Sequence, residues 1–283
     1  MKKIILIIFM LLFAVFLTEA GDFKETENSS VEKTLAFKGG TQYQSLELDN
    51  IFGDISVEGY NGKTVQLTAQ KTIKAKSKEK LEKAKKEVDL KITTDGNAIS
   101  VLVDGPFRQE DGRVSWHRDL GYTVKYDFQL KVPYKTALTL RTVNDGDVKV
   151  SNVQGDFDIR NVNGRLYIDK IAGSGTAHTV NGKVLVNFTE NPKSGCSFHT
   201  INGKVDVSFR PGLSANFKVK TFNGEIYSDF PVTYIPSKPG AGKREGGKYV
   251  YKSNRSQSIR IGKGGPEINM DTLNGNIYIT KGE

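Results

Sequence analysis

Two of the three histidines, His178 and His199, stand 21 residues apart at the same place in a recurring motif. If the repeats stack as parallel strands, their backbones lie about one strand spacing, roughly 4.8 Å, apart. Imidazoles that close could share a divalent cation. The same motif position carries Arg141, Arg160 and Lys220, and cations around a divalent ion repel it. The pattern therefore predicts an exposed basic stripe of Arg141, Arg160, His178, His199 and Lys220, with no metal and no cofactor. Such a stripe suits an acidic polymer better than a reaction.

The carboxylates allow a catalytic alternative. Asp145, Asp147, Asp156 and Asp158 cluster near the motif's turns, and clustered carboxylates with calcium and a nearby base are what a parallel β-helix polysaccharide lyase or hydrolase would use. Aspartate at such places also suits turn formation, the commoner reason for it. No Gly-x-Ser-x-Gly elbow, His-Glu-x-x-His helix or paired-cysteine motif is present, so no catalytic residue is assigned. Two loops add aromatic rings beside cations: residues 105–121, with the only tryptophan, Trp116, and residues 231–265, with Tyr234, Tyr249 and Tyr251. Rings stack on the apolar faces of sugars while cations meet acidic groups, so Trp116 joins the candidate ligand surface.

What must position these groups is a repeat. Thr142-Val143-Asn144, Asn161-Val162-Asn163-Gly164, Thr179-Val180-Asn181-Gly182, Thr200-Ile201-Asn202-Gly203, Thr221-Phe222-Asn223-Gly224 and Thr272-Leu273-Asn274-Gly275 share one pattern: polar, apolar, Asn, and in all but the first an immediate Gly. The asparagines step by 19, 18, 21, 21 and 51 residues, so the last interval holds an insertion. An alternating strand follows each motif, as in Leu166 and Ile168 or Val184 and Val186. Asn-Gly is also the strongest hairpin signal, so a meander of hairpins is the competing arrangement. The near-fixed step favours a β-solenoid, in which asparagines and glycines align into ladders.

Upstream, Asn50-Ile51-Phe52-Gly53-Asp54-Ile55 reads as a degenerate early copy, and Val124, Tyr126, Phe128, Leu130 and Val132 alternate with polar residues as an amphipathic strand. One helix is predicted at about 77–90, opened by Ser77 and carrying Leu81, Ala84 and Val88 at helical spacing; it could cap the β stack.

At the amino terminus, Lys2 and Lys3 precede an apolar run from Ile4 to Leu17, then Thr18, Glu19 and Ala20. That reads as a secretory signal peptide over residues 1–20, too short to span a bilayer, and no later stretch is apolar enough to do so. Its removal takes away two lysines and one glutamate, so the formal charge of +9 becomes +8. In an exported protein, excess lysine favours anionic envelope polymers, acidic glycans or a membrane surface. Nucleic acid is not expected, given export and the lack of a recognition motif. The single cysteine, Cys196, excludes an intramolecular disulfide and reads as a buried strand residue.

The run Arg160-Asn161-Val162-Asn163-Gly164-Arg165-Leu166-Tyr167-Ile168, with its short strands punctuated by Val-Asn-Gly, resembles the bacterial putative-adhesin family of β-strand-repeat proteins, a domain of unknown function, over roughly residues 45–280. The resemblance implies an extracytoplasmic, right-handed β-solenoid-like fold and no catalytic residue. The reading is thus all-β with one short helix: signal peptide 1–20, an N-terminal β region 21–135, and a repeat region 136–283 interrupted at about 231–265. Its ladder would hold Asn144, Asn163, Gly164, Asn181, Gly182, Asn202, Gly203, Asn223, Gly224, Asn274 and Gly275. The expected role is a non-catalytic binding or adhesion module in the periplasm or at the cell surface, a purely structural envelope component being the other non-enzymatic class.

Overall fold

The computed structural model describes residues 23–40, 43–109, 120–236, 243–245, 248–250 and 256–282. The described chain is nearly all β, in mixed sheets with one short helix. It divides into two compact units, one through Gly155 and one from Asp156.

In the first unit, β1 (Glu25–Ala36), β2 (Ser45–Asp49), β3 (Ile55–Tyr60) and β4 (Thr64–Ala75) precede α1 (Lys78–Glu87). After it come β5 (Asp89–Asp95), β6 (Ala98–Asp104), β7 (Tyr122–Pro133), β8 (Ala137–Arg141) and β9 (Val148–Ser151). One layer runs β1, β4, β7, β3, β9, antiparallel at its first two pairings and parallel at the next two. The other runs β8, β2, β6, β5, with only the last pair antiparallel. Alternation makes the core: Leu46, Leu48, Ile55, Val57, Val101, Phe128, Leu130 and Leu140 are buried, while residues between them face out. The upstream copy stacks as a repeat would, with Phe52 bridged in parallel to Asn144 and Ile55 beside Val148. Gly53, at φ +113°, lies against the Tyr126 carbonyl, where a Cβ would come within 2.2 Å.

The helix begins where its cap dictates. Ser77 is extended, and its Oγ accepts a bond from the Lys80 N–H at 3.3 Å. It ends at Glu87, because Val88 is already extended and β5 follows. Ala84 and Val88 are buried and Leu81 half-buried as α1 packs on β4, touching β7 and β1 as well.

The second unit opens with β10 (Phe157–Arg160), β11 (Leu166–Ile171), β12 (Gly175–His178), β13 (Val184–Phe188), β14 (Cys196–Asn202) and β15 (Val205–Phe209). Then follow β16 (Ala215–Asn223), β17 (Ile226–Ser228), β18 (Val232–Ile235), the pair β19 (Lys243–Glu245) and β20 (Lys248–Val250), β21 (Gln257–Ile261), β22 (Glu267–Asn274) and β23 (Ile277–Lys281). One layer is wholly parallel, in the order β11, β13, β15, β23, β17. The facing layer runs β10, β12, β14, β22, β16 in parallel, then adds β21 and β18 antiparallel at its far edge. Rings close the space between the layers: Phe188 meets Phe198 at 6.2 Å and Phe209 meets Phe217 at 5.7 Å, both edge to face. Cys196 is buried in this core, and burial pushes its thiol pKa up.

Strands flanking one Asn-Gly segment never pair with each other; β10 and β11, for example, belong to different layers. A hairpin meander is therefore not the arrangement. The insertion is also partly ordered as strand, since β18 and β21 extend the sheet rather than looping away from it.

Candidate functional site

Each position of the motif has its own task in the second unit. The threonines Thr179, Thr200 and Thr272 are buried. They donate their hydroxyls to the carbonyls of Gly164, Gly182 and Gly203 in the neighbouring repeat at 2.8, 2.8 and 3.0 Å, and Thr221 donates to Gly275 at 2.8 Å. A partly buried carbonyl at a chain bend is thereby satisfied. The glycines leave room for that approach, since a Cβ on Gly182, Gly203 or Gly275 would stand 2.0 Å from the preceding glycine's oxygen. The asparagines form a side-chain ladder. Asn181 donates to Asn163 (2.8 Å), Asn202 to Asn181 (2.8 Å), Asn274 to Asn202 (2.7 Å) and Asn223 to Asn274 (2.7 Å). In the first unit, Thr142 donates to the Gly53 carbonyl at 3.1 Å, and Asn144 accepts a bond from the Gly53 N–H on its carbonyl.

The ladder's order departs from chain order. The last repeat sits between those of Asn202 and Asn223, because β22 pairs with β14 on one side and β16 on the other. This places one unforeseen residue in the basic stripe. Across the outer face of that layer the registered neighbours are Arg160, His178, His199, Asp271 and Lys220. The His178 and His199 rings meet edge to face at 4.5 Å. His199 Nδ1 lies 3.0 Å from Asp271 Oδ1, Lys220 lies 4.0 Å from the other carboxylate oxygen, and Arg160 is held at 3.0 Å by Asp158. The row therefore runs cation, imidazole, imidazole, carboxylate, cation. Burial, then His199 and Arg160, hold the His178 pKa below its ordinary value.

Arg141 belongs to the first unit, where it lies 3.8 Å from Glu47. Trp116 lies outside the described residues, as do residues 1–22 and Tyr251. Among the described residues, no group of three histidine, cysteine, aspartate or glutamate side chains could hold a metal ion. Nor, among them, is any helix long and apolar enough to cross a membrane. The turn aspartates are in structural use: Asp156 accepts the Ser174 N–H at 2.9 Å, Asp158 holds Arg160, and Asp145 adopts φ 54°, a turn conformation that aspartate tolerates.

The opposite outer face of this unit carries a second row that the stripe argument passed over. Four residues beyond each motif asparagine stand Tyr167, Leu185, Asp206, Tyr278 and Tyr227, and they are registered neighbours in that spatial order. Tyr278 and Tyr227 stack with centroids 5.0 Å apart, Lys204 lies 5.4 Å over Tyr278, and Arg165 lies 5.9 Å over Tyr167. The signal was in the repeat itself, where three of five equivalent positions are tyrosine.

No family model matches the sequence, and no curated protein matches it. Among solved structures, the chain is similar to a putative cell adhesion protein from Clostridium sporogenes, at 13% identity over 90% of this chain and 100% of that one, with a TM-score of 0.45. It is also similar to a putative adhesin from Bacteroides fragilis, at 9% identity over 89% and 96% of the two chains, with a TM-score of 0.34. A putative adhesin from Parabacteroides merdae gives 9% identity, 88% and 95% coverage, and a TM-score of 0.29.

Proposed function

We propose that the protein is an exported, non-catalytic binding or adhesion module of the bacterial envelope. In this reading its repeats form a right-handed β-solenoid-like scaffold with Asn-Gly turns, and an outer face of that scaffold meets acidic envelope polymers. The observation that carries the reading is the registered row of Arg160, His178, His199, Asp271 and Lys220, one polar side chain per strand. A row of groups repeating at about 4.8 Å offers a polymer many equivalent contacts rather than one pocket. Asp271 and Asp158 temper the charge, so the attraction is modest at neutral pH and screened by salt. The commitment of Asp156 and Asp158 to turn and ion-pair contacts favours this reading over a calcium-dependent lyase.

The test is a titration with an acidic polysaccharide such as polygalacturonate at low and high salt. The native protein should bind saturably, and Arg160→Glu with Lys220→Glu should weaken binding at least fivefold. Equal affinity in the double variant would remove the row as the contact face.

A further inference from the structure

We propose that the layer opposite the histidine row carries a separate binding trough for an uncharged, extended β-linked glycan, lying across the strands between Tyr167 and Tyr278. This deepens the reading of the chain as a binding module and rests on it, but uses different residues and a different ligand chemistry.

The trough comes from side-chain size along one registered row. Tyr167 stands at one end, the shorter Leu185 and Asp206 occupy the next two strands, and Tyr278 stands on the fourth, stacked on Tyr227. An open depression of about 300 Å³ occupies the Tyr167 end of this row, lined by Tyr167, Asp169, Leu185, Asn187, Lys204 and Asp206, and Lys204 links it to Tyr278. Its floor is apolar and its polar groups are already held. Asn187 donates to Asp169 at 2.8 Å, Lys204 pairs with Asp206 at 2.7 Å, Arg165 donates to the Tyr167 hydroxyl at 3.1 Å, and Asn276 to that of Tyr278 at 3.0 Å. Groups fixed before binding lose little freedom on binding.

Three properties select the ligand. The Tyr167 ring beside Leu185 suits the C–H face of a pyranose ring, while an amide, an ammonium and two carboxylates a few ångströms away can meet hydroxyl and acetamido groups. Next, the ionic groups in the trough balance: Lys204 is neutralised by Asp206, and Arg165 on Tyr167 is offset by Asp169, so no net charge draws an acidic sugar. Lastly, Tyr167 and Tyr278 are three strand spacings apart, about 14 Å, and an extended β-linked glycan advances about 5 Å per ring, close to one spacing of about 4.8 Å. Successive rings can therefore meet successive strands in register, which a coiled α-linked chain cannot do.

Isothermal titration of the purified protein with β-1,4-linked hexasaccharides of glucose and of N-acetylglucosamine tests the inference, with α-1,4-linked glucose hexamer and galacturonate hexamer as comparators. A β-linked neutral hexamer should bind saturably, at least tenfold tighter than either comparator and with little dependence on salt. Tyr167→Ala and, separately, Leu185→Glu should each weaken that binding at least tenfold with an unchanged melting temperature, both side chains facing outward. Arg160→Glu with Lys220→Glu should leave it unaltered. Absence of binding to both β-linked hexamers, equal binding of the α-linked one, or full affinity in both trough variants would each overturn the trough. Polygalacturonate binding through the histidine row would stand or fall independently of that outcome.

Discussion

Asparagine in the motif is a connector whose worth depends on its place in the column. Asn202 both donates to Asn181 and accepts from Asn274, whereas Asn223 donates to Asn274 at the end of the chain of bonds. A side-chain hydrogen bond contributes about 0.5–1.5 kcal/mol net, with exposed ones at the lower end. Asn202→Ala should therefore cost about 1–2 kcal/mol, and Asn223→Ala about half as much. Urea denaturation should show the two midpoints falling in that ratio with an unchanged slope. Equal losses would mean that the ladder's side chains do not act through one another. That these asparagines would align was legible in their spacing. The threonine's role was not, because spacing identifies a polar position without saying which neighbouring carbonyl needs a donor. The bonds from Thr200 to Gly182 and from Thr272 to Gly203 supply that answer, and they explain why the motif's polar residue is buried.

At the level of elements, local signals were legible and long-range order was not. Ser77 announces α1 because a helix start needs an acceptor for its free N–H groups, a requirement within four residues of chain. Ser77→Ala should cost the first unit about 1 kcal/mol, and Ser77→Gly only a few tenths, read as shifts in thermal midpoint. If alanine and glycine behave alike, the hydroxyl is not the cap. Alternation likewise marked β7 and the repeat strands. Nothing local, however, says that β22 enters between β14 and β16. The reason lies in the insertion: β21 folds back antiparallel on one side of β16, so the last repeat can reach β16 only on the other side. Closing the longer connection costs little extra entropy, since loop entropy grows only logarithmically with length. One consequence is chemical. Asp271 arrives in a row where spacing alone had placed only cations and imidazoles, so Arg160, His178, His199 and Lys220 were legible as its members while Asp271 and the charge it brings were not.

Taken as a whole, the molecule is a cationic protein whose histidine row is nearly balanced at neutral pH, and the imidazoles in that row make the two outer faces of the second unit respond differently to acid. His178 faces Asp158 and Arg160 from β10 and His199 from β14, with Asp271 beyond it; burial and the neighbouring cations keep its folded pKa below the ordinary 6.5. The unfolded chain therefore takes up this proton first as pH falls. By linkage, the His178 contribution lowers stability as pH drops through 6.5, and the loss stops once pH is below the folded pKa as well. An anionic polymer reverses the preference, because it favours the protonated imidazole and draws its pKa back up. Polygalacturonate affinity measured at constant ionic strength should thus rise several-fold between pH 7.5 and 5.5, and His178→Gln should flatten both that rise and the accompanying fall in melting temperature. The trough of Tyr167 and Leu185 holds no imidazole, so neutral glycan affinity should stay level over the same range. A flat polygalacturonate profile in the native protein would show that Arg160 and Lys220 meet the polymer while the imidazoles stand aside.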